Sequence, residues 1–411
     1  MFERLDDVDW AGITHAYGPA ADVPDQLRGL ASTDPEARRK ARHALYGNIF
    51  HQGTRYEATA YAVPFLLELA ADTAAPDRAE LLALLTSIAV GYDESWLPGT
   101  FPIERWREQA AGGVELLAAA PHPGDLDYDD ESEYRYTESL SDEEQVRLFR
   151  HIEVAAYDAV RAGVPLFREL LRSPDPELRT QAAYALAWFP QHAADSGPAL
   201  LAAAQDRSGD PELTGAAATA LVAAGLLGHR PPEDLLAAQE PLLCWAAAVG
   251  TACVCGADAP VEAIDDLLSW AGGSRMGDRR MPFLSGDLAG LAGLVLERSG
   301  PDRAQIFDAL LRGIPAADGI QALPVVASAL RMAFPELPVP VGRSFAELTP
   351  DQQRLLEVLA SSPRTWQLGE HPFGNFLLMM GDSGLPHSHV LMRAYVDGEV
   401  GETGRPTSQA Q

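Results

Sequence analysis

The sequence predicts an all-α chain in which short helix pairs stack into an α-solenoid. Three observations carry this. A phrase beginning Val23-Pro24, with Leu30, Ser32, Asp34-Pro35-Glu36, Arg38, Ala41 and Ala44-Leu45, returns 141 residues later. There it reads Val164-Pro165, Leu171, Ser173, Asp175-Pro176-Glu177, Arg179, Ala182 and Ala185-Leu186. A third copy of its second half follows 35 residues on, with Ser208, Asp210-Pro211-Glu212 and Ala220-Leu221. Hydrophobic residues make up 47% of the chain, with Ala and Leu leading and β-branched runs scarce, which favours helix. One helix pair cannot bury its own apolar face, so regular copies imply stacking.

The copy from Val164 to Leu186 shows why the phrase folds as two helices. Pro165 opens or kinks the first helix. Asp175 suits the N-cap of the second, Pro176 its first position, and Glu177 the positive end of its dipole. Leu178, Ala182, Ala185, Leu186 and Phe189 then fall on one face at helical spacing. Asp175 and Arg179 are placed for an ion pair worth ~0.3–0.5 kcal/mol if exposed. Proline, spaced leucines, Asp-Pro, Arg and Ala-x-x-Ala-Leu together resemble the HEAT repeat. That resemblance implies a right-handed α-solenoid of about seven helix pairs, with Asp and Arg linking successive repeats. The linking roles fall on Asp34 with Arg38 and on Asp175 with Arg179. At Asp210 the Arg position holds Thr214, so the link is in doubt there.

Taken in order, the solenoid is expected over residues 1–336. Repeat 1 runs from Val23 to Tyr46. Repeat 2 is carried by Val63-Pro64-Phe65-Leu66 and a helix from Arg78 to Ala89. Residues 91–150 interrupt the period; a helix from Glu104 to Ala120 is weakened by Gly112-Gly113. The stretch His122 to Glu144 holds ten carboxylates against Arg135 alone. Repeats 3, 4 and 5 resume near Ile152, Ser196 and Glu233. A further pair begins at Val261 and is split by the loop Gly272 to Gly286, and helices from Asp287 to Arg298 and from Arg303 to Met332 continue the array. Residues 337–343 read as a proline-rich linker, 344–397 as a C-terminal helical cap, and 398–411 as a disordered tail.

The net charge of −28 repels nucleic acid and anionic membrane at long range. The first residues lack the basic and apolar regions of a signal peptide, and the longest uncharged run, Pro241 to Ala257, is short for a membrane span. Three cysteines form no disulfide framework. A cytoplasmic location is expected. Lys40 stands against 30 arginines, and Asn48 and Asn375 are the only asparagines; this bias fits a GC-rich, actinobacterial genome.

Chemistry-bearing motifs are few. Gly381 to Pro386 resembles the GDSGGP nucleophile signature of trypsin-like proteases, yet it follows an apolar helical run and reads as a helix end and turn. The acidic run offers calcium-type ligands from Asp127, but Ser132 stands where the loop needs glycine. Cys253-x-Cys255 reads as buried thiols, and His371, His387 and His389 as surface histidines. The partner-binding candidates are the acidic-aromatic residues Asp127, Tyr128, Asp129, Asp130, Glu131, Tyr134 and Tyr136. To these are added the basic loop residues Arg275, Arg279 and Arg280, and His51 with Arg55 in a polar connector.

The resulting expectation is a protein-binding scaffold, probing a basic partner with its acidic surface. No catalytic residue, cofactor or metal is assigned. The alternative is a HEAT-like DNA glycosylase or other small-ligand enzyme, kept open by the basic helix Arg38, Arg39, Lys40 and Arg42.

Overall fold

A computed structural model describes residues 2–92, 100–125, 127–129, 131–205, 210–273, 280–300, 302–340 and 342–399. Ser208, Asp130, Arg275, Arg279 and nearly all of the expected tail lie outside these residues. The fold is all-α, 69% helical, and among the described residues sheet is confined to three two-stranded hairpins. It resolves into two compact units, Met1–Ala223 and Ala224–Gln411.

The N-terminal unit opens with a hairpin of β1 (Thr14–His15) and β2 (Gly18–Pro19). The first repeat is α1 (Val23–Leu30) on α2 (Pro35–Ile49). Asp34 caps α2 by accepting the Glu36 amide at 3.0 Å. Strands β3 (Phe50–His51) and β4 (Thr54–Arg55) then form a hairpin whose two turn residues, Gln52 (φ 51°) and Gly53 (φ 88°), both take left-handed conformations. A two-residue turn of that hand matches the strand twist. The second repeat is α3 (Glu57–Ala71) with α4 (Arg78–Val90).

The interrupting segment is itself helical, comprising α5 (Ile103–Gln109), α6 (Gly113–Ala118), α7 (Ser132–Ser139) and α8 (Asp142–Arg161). The expected helix from Glu104 to Ala120 is therefore two. Gly112 turns the chain at φ 85°, and Gly113 lets α6 approach α8 so closely that a Cβ there would lie 2.4 Å from His151 Cβ. The segment is tied into the array: Phe101 stacks on buried Tyr157 at 5.7 Å, and Arg107 grips Asp158 with two hydrogen bonds of 2.6 and 2.7 Å. Helix α8 starts at a capping box, Ser141 with Glu144, and packs on α3 and α4. Helices α9 (Val164–Leu170), α10 (Pro176–Ala187), α11 (Ala193–Ala203) and α12 (Pro211–Leu226) supply the next two pairs. Pro165 opens α9, and α10 packs back on α4.

The repeat-linking roles divide differently from the expected Asp–Arg pairing. Asp34 and Asp175 use their carboxylates as caps. The arginines reach onward: Arg38 Nε donates to Asp77 of the second repeat at 2.7 Å, and Arg179 Nη2 donates to the Ala203 carbonyl of α11 at 3.1 Å. Thr214 bonds back within its own helix, to Asp210 O.

In the C-terminal unit, α13 (Pro241–Cys255) packs on α14 (Val261–Ala271) and α15 (Leu288–Ser299). The stretch Pro241–Asp258 is long and apolar enough to cross a membrane by composition; here α13 buries Leu242 through Ala252 apart from Cys244. The expected run from Arg303 to Met332 is α16 (Arg303–Gly313) and α17 (Ala322–Ala333), because Pro315 and left-handed Gly319 break it. A bidentate Arg331–Glu297 pair, both contacts 2.7 Å, joins α17 to α15. The final elements are α18 (Pro350–Ser361), the hairpin β5 (Gln367–Leu368) and β6 (His371–Pro372), α19 (Gly374–Asp382) and α20 (His389–Val396). They dock on the array, for Gln352 donates to Ala333 O and Thr365 to Ile314 O. Residues 337–340 are more than a spacer: Val339 is buried and its amide donates to Ser383 O at 2.8 Å.

Candidate functional site

The N-terminal unit holds a cleft of about 400 Å³. One wall is the β3–β4 hairpin and the first turn of α3, with Arg55, Tyr56 and Glu57. Glu133, Tyr134, Tyr136 and Thr137 of α7 line it as well. Leu117 of α6 and Leu148, Phe149 and Ile152 of α8 add apolar lining, and Gly12, Thr14 and His122 contribute to it too. Helix α7 keeps its place because Tyr136 donates to Leu116 O at 2.6 Å and Arg135 pairs with Asp129 at its start.

Arg55 is the most buried charge here, 4% exposed. Its Nη1 donates to Gly53 O at 2.8 Å and its Nη2 faces Glu153 Oε1 at 3.3 Å. Glu153 also pairs with Arg150, which lies 4.1 Å over the Trp106 ring. Burial pushes the Arg55 guanidinium below its ordinary pKa, against the pull of Glu153. Its Nε makes no hydrogen bond among the described residues.

The carboxylates face inward from two distant parts of the chain. Glu57 Oε2 accepts the Thr14 amide at 3.3 Å, and Glu133 Oε1 accepts the Tyr128 hydroxyl at 2.7 Å. Burial raises the Glu57 pKa; the Thr14 amide opposes this, the Glu133 charge adds to it, and His122 lowers it. Tyr56 is raised chiefly by burial, and Tyr136 likewise.

The structure gathers only part of the expected set. Tyr134 and Tyr136 join Arg55 in the cleft. Tyr128 stands behind it, holding Glu133. Asp127, Asp129 and Glu131 are exposed on the outer side; the Arg135 hydrogen bond holds Asp129 below the usual carboxylate range. His51 Nδ1 and the hydroxyl of exposed Tyr17 share a hydrogen bond of 3.2 Å, outside the cleft lining. Arg280 is half-buried ahead of α15 in the other unit. Glu57 belongs to the polar connector around His51 and Arg55, whereas Glu133, His122 and Phe149 carry no sequence signal beyond their type.

Every base of the basic helix has a carboxylate partner. Arg38 pairs with Asp77, Arg39 and Lys40 with Glu36, and Arg42 with Glu80. The protease-like segment is a helix end: Ser383 donates to Met379 O, and Gly384 turns at φ 72°. His389 bonds to Ala360 O. Among the described residues no group of three or more His, Cys, Asp or Glu could hold a metal ion.

A second cavity, about 290 Å³, lies in the C-terminal unit. Asp287, 6% exposed, lines it as the N-cap of α15 and accepts the Gly290 amide at 2.9 Å. Burial pushes its carboxyl up to about 6. Nothing in the sequence pattern points to it.

The fold and cleft together define an all-α repeat protein with a recessed acidic-aromatic site. Residues 137–235 match the family model described as HEAT repeats, covering α8 to α12. A solved structure described as an engineered protein is 18% identical, with 83% of this chain and 94% of that chain covered, at a TM-score of 0.27. Among curated proteins no sequence matches.

Proposed function

We propose that the chain is a protein-binding scaffold whose N-terminal unit captures a basic partner. The observation that carries this is α7: a helix held against α6, with Glu131 and Glu138 exposed beside a 68% exposed Tyr134 that also lines the cleft. Tyrosine with one face packed and one wet suits an interface, and surrounding carboxylates speed encounter with a basic surface. HEAT repeats generally serve protein interaction, which agrees. Nucleic acid is disfavoured, since the one basic helix already spends its charges on Asp77, Glu36 and Glu80. The proposal includes a cytoplasmic location without membrane contact, supported by the burial of α13.

Peptide arrays graded in net charge test it. The full chain should prefer basic peptides, and Tyr134→Ala combined with Glu131→Gln and Glu138→Gln should weaken that preference most at low salt. Binding without charge bias, or unchanged by the triple substitution, refutes the proposal.

A further inference from the structure

We propose that the cleft of the N-terminal unit receives a single lysine side chain of that basic partner. The inference rests on the basic-partner reading and names the group the site would grip.

Glu57, at the first turn of α3, and Glu133, on α7, converge on one half-buried cavity and repel each other. Each has one oxygen engaged, by the Thr14 amide and the Tyr128 hydroxyl. Among the described residues Glu57 Oε1 and Glu133 Oε2 accept no hydrogen bond. Like charges held together in a recessed site are relieved by a cation between them. The resident cations are engaged elsewhere: Arg55, though it lines the cleft, turns its guanidinium to Gly53 O and Glu153, and His122 has its Nδ1 accepting the Gly124 amide.

Shape selects lysine from other cations. At about 400 Å³ the cleft lies near the lower end for small-ligand sites, enough for one long side chain. A lysine stem can lie along Leu117, Phe149 and Tyr134 while its ammonium, a compact three-proton donor, reaches the two free carboxylate oxygens. Tyr56 and Tyr134 add ring faces that favour a cation.

Calorimetric titration of the full chain tests this with a capped pentapeptide bearing one central lysine among glycines. Two comparison peptides replace lysine by norleucine, which keeps the stem without charge, or by diaminopropionate, which keeps charge on a short stem. The lysine peptide should bind roughly tenfold more tightly than either. Glu57→Gln with Glu133→Gln should lose that margin while helicity by circular dichroism is unchanged. Tyr134→Ala, at an exposed position and so safe for folding, should weaken the lysine peptide and leave diaminopropionate unaffected. Equal binding of diaminopropionate would reduce the effect to the general acidic field and overturn the proposal, as would full retention by the double variant. Equal affinity for free cadaverine would assign the cleft to a small amine instead of a partner's side chain, and would also overturn it. The parent reading fails separately: if basic peptides are not preferred on the array, it falls whatever the lysine peptide does. If they are preferred equally by the double variant, only the lysine site falls.

Discussion

A methyl group added at Gly225 should destabilise the protein, whereas the same group at Gly47 should stabilise it. Both glycines sit in the last turn of a helix, α12 and α2. A Cβ at Gly225 would stand 2.1 Å from Gly250 Cα and 2.7 Å from its carbonyl oxygen, while one at Gly47 meets nothing within 4 Å. Carbon pairs are comfortable at about 3.5–4.0 Å, so Gly225 and Gly250, both in the C-terminal unit, would have to part by well over 1 Å. Overpacking of that kind costs roughly 1–3 kcal/mol, and backbone cannot swing aside as a side chain can. Against it stands the helix preference for Ala over Gly, at most about 1 kcal/mol. Because the clash is with backbone, the upper end of that range applies, and the net for Gly225→Ala is a loss of up to about 2 kcal/mol; for Gly47→Ala the preference acts alone, a gain of roughly 0.5–1 kcal/mol. Scanning calorimetry of both variants should show the midpoint falling by roughly 4–8 °C in the first and rising slightly in the second. A Gly225→Ala protein as stable as the parent would refute the close-approach reasoning.

Other outcomes follow from the same geometry. Asp287 binds its proton more tightly folded than unfolded, so its contribution is favourable at low pH and is lost as pH rises from 3.8 to about 6. Asp287→Asn, which keeps the cap, should remove that decline, a difference of roughly 3 kcal/mol above pH 6 in urea titrations at several pH values. A double-mutant cycle of Arg38→Ala and Asp77→Ala should give a coupling of about 1 kcal/mol between the first two repeats. Leu186→Ala, fully buried in α10, should cost ~2–5 kcal/mol by denaturant unfolding. Tyr136→Phe should cost about 1 kcal/mol, by loss of the bond to Leu116 O, and loosen α7 in hydrogen exchange.

Local rules were legible in the residues themselves. The Asp-Pro phrases located α2, α10 and α12, because a cap and a proline act within one turn. The expected Asp175–Arg179 pair was the wrong use of the right residues: the capping oxygen is claimed by the Glu177 and Leu178 amides, leaving Arg179 to reach Ala203 O. The break between α16 and α17 was marked by Pro315 and Gly319, whose weight was masked by a strong helical period on both sides. Of the cleft, Arg55, Tyr134 and Tyr136 stood out by type, but nothing in the sequence says that residues so far apart share a cavity. Glu133 did not stand out, for in a chain of net charge −28 a carboxylate carries little information.

The packing of α3 and α4 on α8 and α10 has a kinetic consequence. During synthesis the first two repeats leave the ribosome with one apolar face uncovered, and the helices that cover it arrive only after the whole interrupting segment has been made. Until then Leu66, Leu69, Leu82 and Leu85 depend on α1, α2 and each other, and exposed faces of this kind favour misassembly. Shortening the segment would help little through chain entropy, since halving a loop returns only about 0.6 kcal/mol. What hastens the covering is the early helicity of α8 itself, which gives its capping pair, Ser141 and Glu144, a say in how safely the chain is born.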